Sequence, residues 1–131
     1  MMKNNSRTAA ANSEKLSANK NAKLTAQGLR EHAIQNAIRI AITPYVAIFR
    51  VNVGKVKTAD GRFFDTGLPK GYSDLSGVRR SDGRAVFIEV KTPSGRVSPE
   101  QKNFIEQMKK CHALAGVARS VEDALKIIQE E

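Results

Sequence analysis

Between Ala26 and Ile42 the apolar residues Ile34, Ala37, Ile38, Ala41 and Ile42 recur at three-and-four spacing, which predicts an amphipathic helix closed by Pro44. Beyond it the period shortens. Tyr45 to Val51 reads as a strand, and Asn52 to Gly71 as a hairpin or long excursion marked by Asp60-Gly61, Gly67, Pro69 and Gly71. Ser73 to Arg79 and Arg84 to Thr92 read as two strands joined through Ser81-Asp82-Gly83, a short turn whose glycine accepts positive φ. Ser98-Pro99-Glu100-Gln101 has the form of a helix start, with Ser as N-cap, Pro at N1 and Gln at N3. Phe104, Ile105, Met108 and His112 then fall on one face. Leu114 to Ala118 suits a buried strand, and Ser120 caps a last helix with Val121, Ala124, Leu125 and Ile128 inward.

The resulting order, α-β-β-β-α-β-α, predicts an α/β fold: a sheet with helices packed against it, without internal repeats or coiled-coil heptads. With 131 residues, the chain accommodates one domain plus a tail. Hydrophobic residues at 40% supply enough apolar surface for a core. No apolar run reaches the length of a membrane span and no secretory signal stands at the start, so a cytoplasmic protein without membrane contact is expected. The lone cysteine, Cys111, excludes an internal disulfide and any Cys-rich zinc module.

Residues 1–24 are rich in Asn, Ala, Ser and Lys and read as a disordered basic arm ahead of a domain spanning 25–131. The net charge of +9 points to a polyanionic partner, which nucleic acid and an anionic membrane surface satisfy equally. Through Arg30 the chain carries six basic residues against Glu14 alone, so more than half of the excess charge precedes the core. A solvated tail and a DNA-gripping arm both account for it.

The candidate chemistry centres on Asp74 and on Glu89-Val90-Lys91, fifteen positions further on, with the acids on the two strands of a predicted hairpin. Residues i and i+2 of a strand share a side, so Glu89 and Lys91 face one site while Val86, Ile88 and Val90 face the core. Two carboxylates and the Val90 carbonyl make a half-shell for a hard cation such as Mg²⁺. Lys91 would orient water or offset charge on a phosphate. An exposed strand face of alternating charge accounts for the same residues at little energetic value. Glu31 lies on the stripe of Ile34, Ile38 and Ile42 with Gln35 beside it, and Gln101 lies in line with Phe104, Ile105 and Met108, so both helices aim polar groups inward. A capping box explains Gln101 locally, and an acid in the first helical turn explains Glu31.

Three segments together carry a family resemblance: Gly71-Tyr72-Ser73-Asp74, Phe87-Ile88-Glu89-Val90-Lys91-Thr92 and Gly95-Arg96-Val97-Ser98-Pro99-Glu100-Gln101. They resemble the VRR-NUC nucleases of the PD-(D/E)XK superfamily over about residues 27 to 128, including the strand end Arg50-Val51-Asn52. The resemblance implies a restriction-endonuclease-like α-β-β-β-α-β core with a mixed sheet flanked by helices, plus a C-terminal helix. It implies that Asp74, Glu89 and the Val90 carbonyl bind Mg²⁺ or Mn²⁺, that Lys91 is the catalytic lysine, and that Glu31 is the helix-borne acid, reached directly or through water. Gln35 and Gln101 become supporting site residues. Ser73 stands where the superfamily name has proline, as is usual for this branch. Stand-alone bacterial and viral members look like compact dimeric enzymes that cut branched DNA, including four-way junctions. A stand-alone homodimeric DNA endonuclease of a bacterial or phage-infected cell is therefore expected, with a non-catalytic nucleic-acid-binding module or a nuclease for ends, flaps or specific sequences as alternatives.

Arg50, Lys55, Lys57, Arg62 and Lys70 would continue a basic DNA track, or are scattered solvated charge. Phe63 and Phe64 would pack beneath the excursion, line a dimer seam or wedge between bases, and packing is the expected role. His32 and His112 stand without a cysteine cluster, which argues against zinc. The glycines make no nucleotide fingerprint, so no nucleotide cofactor is expected, although Gly67 to Gly71 would bring backbone N–H groups near a phosphate.

Overall fold

The computed structural model describes residues 22–131. The reading of residues 1–24 as a disordered arm lies outside the described residues over 1–21, whereas residues 22–24 belong to a helix. Helix α1 runs Ala22–Ile42, β1 Val46–Arg50, β2 Lys55–Lys57, β3 Phe63–Asp65, β4 Leu75–Arg79 and β5 Ala85–Val90. Then follow α2 (Pro99–Lys110), β6 (Leu114–Ala118) and α3 (Val121–Ile128). The order β1-β4-β5-β6 forms a four-stranded sheet, antiparallel at β1–β4 and β4–β5 and parallel at β5–β6, while β2 and β3 pair in a separate antiparallel ribbon. The mixed sheet is the expected α/β arrangement, because the parallel β5–β6 pair requires the α2 crossover between its strands.

Alternation along the strands sets the layers. Val86, Ile88 and Val90 are fully buried, on the same side as Leu114 and Ala118, and meet Ile38 and Ile42 of α1 and Ala124 and Ile128 of α3. Burying an isoleucine of this kind removes enough apolar surface to stabilise the fold by about 2–3 kcal/mol. Gly116 belongs to this face: a Cβ there would lie 2.9 Å from the Ile127 side chain, so glycine lets α3 sit close to the sheet. On the opposite face α2 covers β5 and β6, and Tyr72, Phe87 and Phe104 pack with ring centroids 4.8–5.8 Å apart. Over β1 and β4 no element among the described residues covers Phe49 and Val78 on that second face, and they are 64% and 44% exposed.

Both predicted caps form. Ser98 accepts the Gln101 N–H and the Gln101 side chain returns to the Ser98 N–H, and Ser120 accepts the Asp123 N–H. Four local expectations are corrected. Asp74 precedes β4 instead of lying within it, because ladder pairing starts at Leu75 opposite Ile88. Helix α1 begins four residues before Ala26, nine before Glu31, so Glu31 is not a first-turn acid. His112 leaves the α2 face: with φ of 68° it takes the left-handed position of a Schellman cap, with its N–H on the Lys109 carbonyl and that of Ala113 on Met108. Phe63 and Phe64 do not pack beneath the excursion; they are 71% and 61% exposed on the separate ribbon.

Candidate active site

The site lies where the start of β4, the end of β5, the first turn of α2 and the N-terminal half of α1 meet. Gly71 makes the first of these junctions. Its φ is +92°, and a Cβ there would lie 2.4 Å from the Glu100 carbonyl oxygen, so only glycine lets this segment cross the α2 N-terminus. Ser73 is fully buried behind it. The Asp74 carboxylate is pinned by the Val90 N–H, which donates to Oδ2 at 2.9 Å, and the Asp74 carbonyl accepts the Val51 N–H at 2.9 Å. Thus the Arg50-Val51 strand end braces the same aspartate.

Glu89 is 1% exposed. Its Oε1 accepts a hydrogen bond from Gln101 Nε2 at 2.8 Å and lies 3.7 Å from Lys91 Nζ. Its Oε2 is buried without a hydrogen-bond donor among the described residues. Burial pushes the Glu89 carboxyl up to about 8, helped by the negative charge of Asp74 and opposed by Lys91. Glu31 completes the cluster from α1: burial raises its carboxyl above the ordinary range, the Asp74 charge adds to this, and Lys91 works against it. Glu89, Lys91 and Gln101 are thus in contact, Asp74 is held on the adjoining Val90 backbone, and Glu31 on α1 lies within reach of the Asp74 and Lys91 charges.

The remaining candidates sit around this centre. Gln35, one turn beyond Glu31, is 6% exposed with its Oε1 unpartnered among the described residues. Val90 turns its side chain into the core and gives its N–H to Asp74. Arg50, Lys55, Lys57, Arg62 and Lys70 are all exposed outside the cluster. Arg62 pairs with Asp60 at 3.3 Å and Lys70 with Glu100 at 3.5 Å, surface contacts of little energetic value.

Arg119 escaped the sequence reading. Its Nη1 donates to the carbonyls of Thr92 at 2.6 Å and Gly95 at 2.7 Å, so it ties down the turn that follows Lys91. Nothing in the local pattern marks it, since a single arginine between a buried strand and a Ser N-cap has no periodic signature. Tyr72 was quoted only within a motif, yet its ring joins the segment before Asp74 to Phe87 and Phe104.

The donor chemistry suits a hard cation. Two adjacent carboxylates in a buried site repel unless a proton or cation lies between them, and the unpartnered Oε2 of Glu89 is free to accept one. Among the described residues no three His, Cys, Asp or Glu side chains converge into a metal cage. That is compatible with Mg²⁺, which keeps several waters and takes only one or two carboxylates from a protein.

A four-stranded mixed sheet flanked by helices, with an aspartate before one central strand and Glu-x-Lys at the end of the next, defines a restriction-endonuclease-like nuclease core. Residues 29–122 match the VRR-NUC domain family. The chain belongs to that family, whose fold is that of the PD-(D/E)XK superfamily, and it is a nuclease with DNA as its implied substrate. Comparisons with curated proteins and with solved structures each return no match. Among the described residues no helix is long and apolar enough to cross a membrane.

Proposed function

We propose that the chain is a divalent-metal-dependent DNA endonuclease that hydrolyses phosphodiester bonds, prefers branched DNA such as four-way junctions, and works as a homodimer. The observation that carries the reaction is the buried, unpartnered Oε2 of Glu89 beside Asp74, with the Lys91 ammonium 3.7 Å from the other oxygen. Asp74, Glu89 and the Val90 carbonyl would hold Mg²⁺ or Mn²⁺, with Glu31 reached directly or through water. When bound, such an ion polarises a phosphoryl oxygen and acidifies water. Gln101 holds Glu89 through Oε1, which leaves Oε2 without a donor among the described residues. Lys91 supplies a positive charge next to the reacting phosphate, either offsetting charge as it develops or orienting the attacking water.

Support for branched DNA comes from the family resemblance, from the net charge of +9, and from a ribbon that exposes Phe63 and Phe64 beside Lys55, Lys57 and Arg62. The dimer is supported by the same resemblance and by the exposed sheet face around Phe49 and Val78, since apolar surface of this kind is usually covered. A two-fold dimer would set two sites across a two-fold junction and produce paired nicks. The exposed free thiol of Cys111 suits a reducing cytoplasm.

The test uses labelled four-way, flap, single-stranded and linear duplex DNA with Mg²⁺ or Mn²⁺. The expected result is junction cleavage that chelator, Asp74→Ala and Lys91→Ala each abolish. Binding without cleavage under every condition would make the chain a non-catalytic module. Equal cleavage of linear duplex and junction would remove the preference for branches.

A further inference from the structure

Between the N-terminal half of α1 and the turn after β5 lies a cleft of about 570 Å³. Gln27, Arg30 and Ile34 line it from the helix, at the spacing of one helical face, and Thr92, Pro93 and Ser94 line it from the turn. Its size falls within the roughly 300–1,000 Å³ of small-ligand sites. Each wall carries the chain neighbour of a site residue, Arg30 beside Glu31 and Thr92 beside Lys91.

The walls are chemically uneven. Arg30 and Gln27 are exposed, and none of the ion pairs among the described residues engages Arg30. Thr92 is only 6% exposed, and its hydroxyl has no hydrogen-bond partner among the described residues. A buried hydroxyl without a partner is costly unless a ligand or water satisfies it. Ile34 and Pro93 add apolar surface. The carbonyls of Thr92, Pro93 and Gly95, which would repel an anion, are engaged by Arg119. An exposed guanidinium and amide on the helix are therefore offered beside an apolar wall, facing a turn whose acceptors are already used and beneath which an unsatisfied hydroxyl is buried.

The geometry points to this cleft as the seat of one sugar–phosphate unit of the cleaved DNA strand, next to the scissile bond. Arg30 and Gln27 grip its phosphate, while Ile34 and Pro93 pack against the sugar. Arg30 is thereby a substrate-positioning residue that fixes the strand relative to Lys91. The inference rests on the proposed DNA hydrolysis and deepens it by naming where the neighbouring nucleotide lies.

The test maps the cut and then neutralises, one at a time, the phosphates flanking it as methylphosphonates. Each substrate is measured with the wild-type chain, Arg30→Ala and Arg30→Lys, with circular dichroism to verify the fold. Arg30→Ala is expected to raise KM about tenfold, leave kcat within about threefold, and lower the slope of log affinity against log salt by about one. Arg30→Lys, which keeps the charge, should recover part of the loss. At one flanking phosphate, neutralisation should weaken the wild-type chain but add little to Arg30→Ala, because both remove the same contact. Cleavage by the wild-type chain with additive losses at every flanking phosphate overturns the cleft assignment alone. No cleavage by the wild-type chain with either Mg²⁺ or Mn²⁺ overturns the proposed reaction, and the cleft assignment with it.

Discussion

Gln101 Nε2 donates to Glu89 Oε1 across 2.8 Å while Gln101 Oε1 accepts the Ser98 N–H at 2.9 Å. One amide thus completes the N-terminal cap of α2 and fixes a buried carboxylate of the site. Helix and strand are tied through the two ends of a single side chain, so the rotamer that caps the helix is also the one that orients Glu89.

Replacing Gln101 separates the two roles. Gln101→Ala loses both, at a stability cost of about 1 kcal/mol, and DNA cleavage should drop by about tenfold or more as Glu89 gains freedom. Gln101→Glu keeps an N3 acceptor for the Ser98 N–H but sets a second carboxylate against Glu89. Urea unfolding should show it more stable than Gln101→Ala at acidic pH and less so at alkaline pH, with cleavage impaired throughout.

The raised Glu89 carboxyl sets a pH dependence in metal-free protein. A carboxyl whose folded pKa lies above its ordinary 4.5, here at about 8, binds its proton more tightly in the folded state. Its contribution to stability is therefore complete below about 4.5 and is lost as pH rises through about 8. Thermal unfolding in chelator should show Tm falling across this window, and Glu89→Gln should flatten the decline. Added Mg²⁺ or Mn²⁺ should raise Tm more at the alkaline end, where protons compete least for the carboxylates.

Gly71→Ala should destabilise the fold by roughly 1–3 kcal/mol, because it combines left-handed backbone with a collision against the Glu100 carbonyl. Gly83, also at positive φ but in open space, is the control: Gly83→Ala carries the backbone strain without the collision and should cost less. Denaturant midpoints rank the two. Only Gly71→Ala should also depress cleavage, since the displaced segment leads directly to Asp74.

Arg119→Ala removes the donor that holds three carbonyls of the turn from Thr92 to Gly95. It should cost about 1–3 kcal/mol. Amide hydrogen exchange should quicken locally at residues 92–95, with the strands β4 and β5 largely unchanged, and cleavage should fall because the turn anchors the segment carrying Lys91.

Much of the fold was legible because its signals are local. Ser98-Pro99-Glu100-Gln101 and Ser120 write their caps within four residues, and Val86, Ile88 and Val90 alternate with Phe87 and Glu89 over a single strand. The contact of Glu89 with Lys91 was legible at one remove, through strand parity, and the helical stripe turned Glu31 toward the charges of Asp74 and Lys91. What escaped depends on contacts across the chain. The need for glycine at position 71 lies in the Glu100 carbonyl, and the role of Arg119 lies in a turn more than twenty residues earlier. Ladder register decides that Asp74 falls outside β4, and the absence of a layer above the ribbon among the described residues decides that Phe63 and Phe64 stay exposed.

The ribbon of β2 and β3 hydrogen-bonds to itself and shares no ladder with the four strands that support the carboxylates. Lengthening, trimming or re-sequencing it would leave the cutting groups in register. In the proposed enzyme, grip and blade are thereby decoupled in the covalent chain, and a lineage is free to retune what it seizes without rebuilding what it severs.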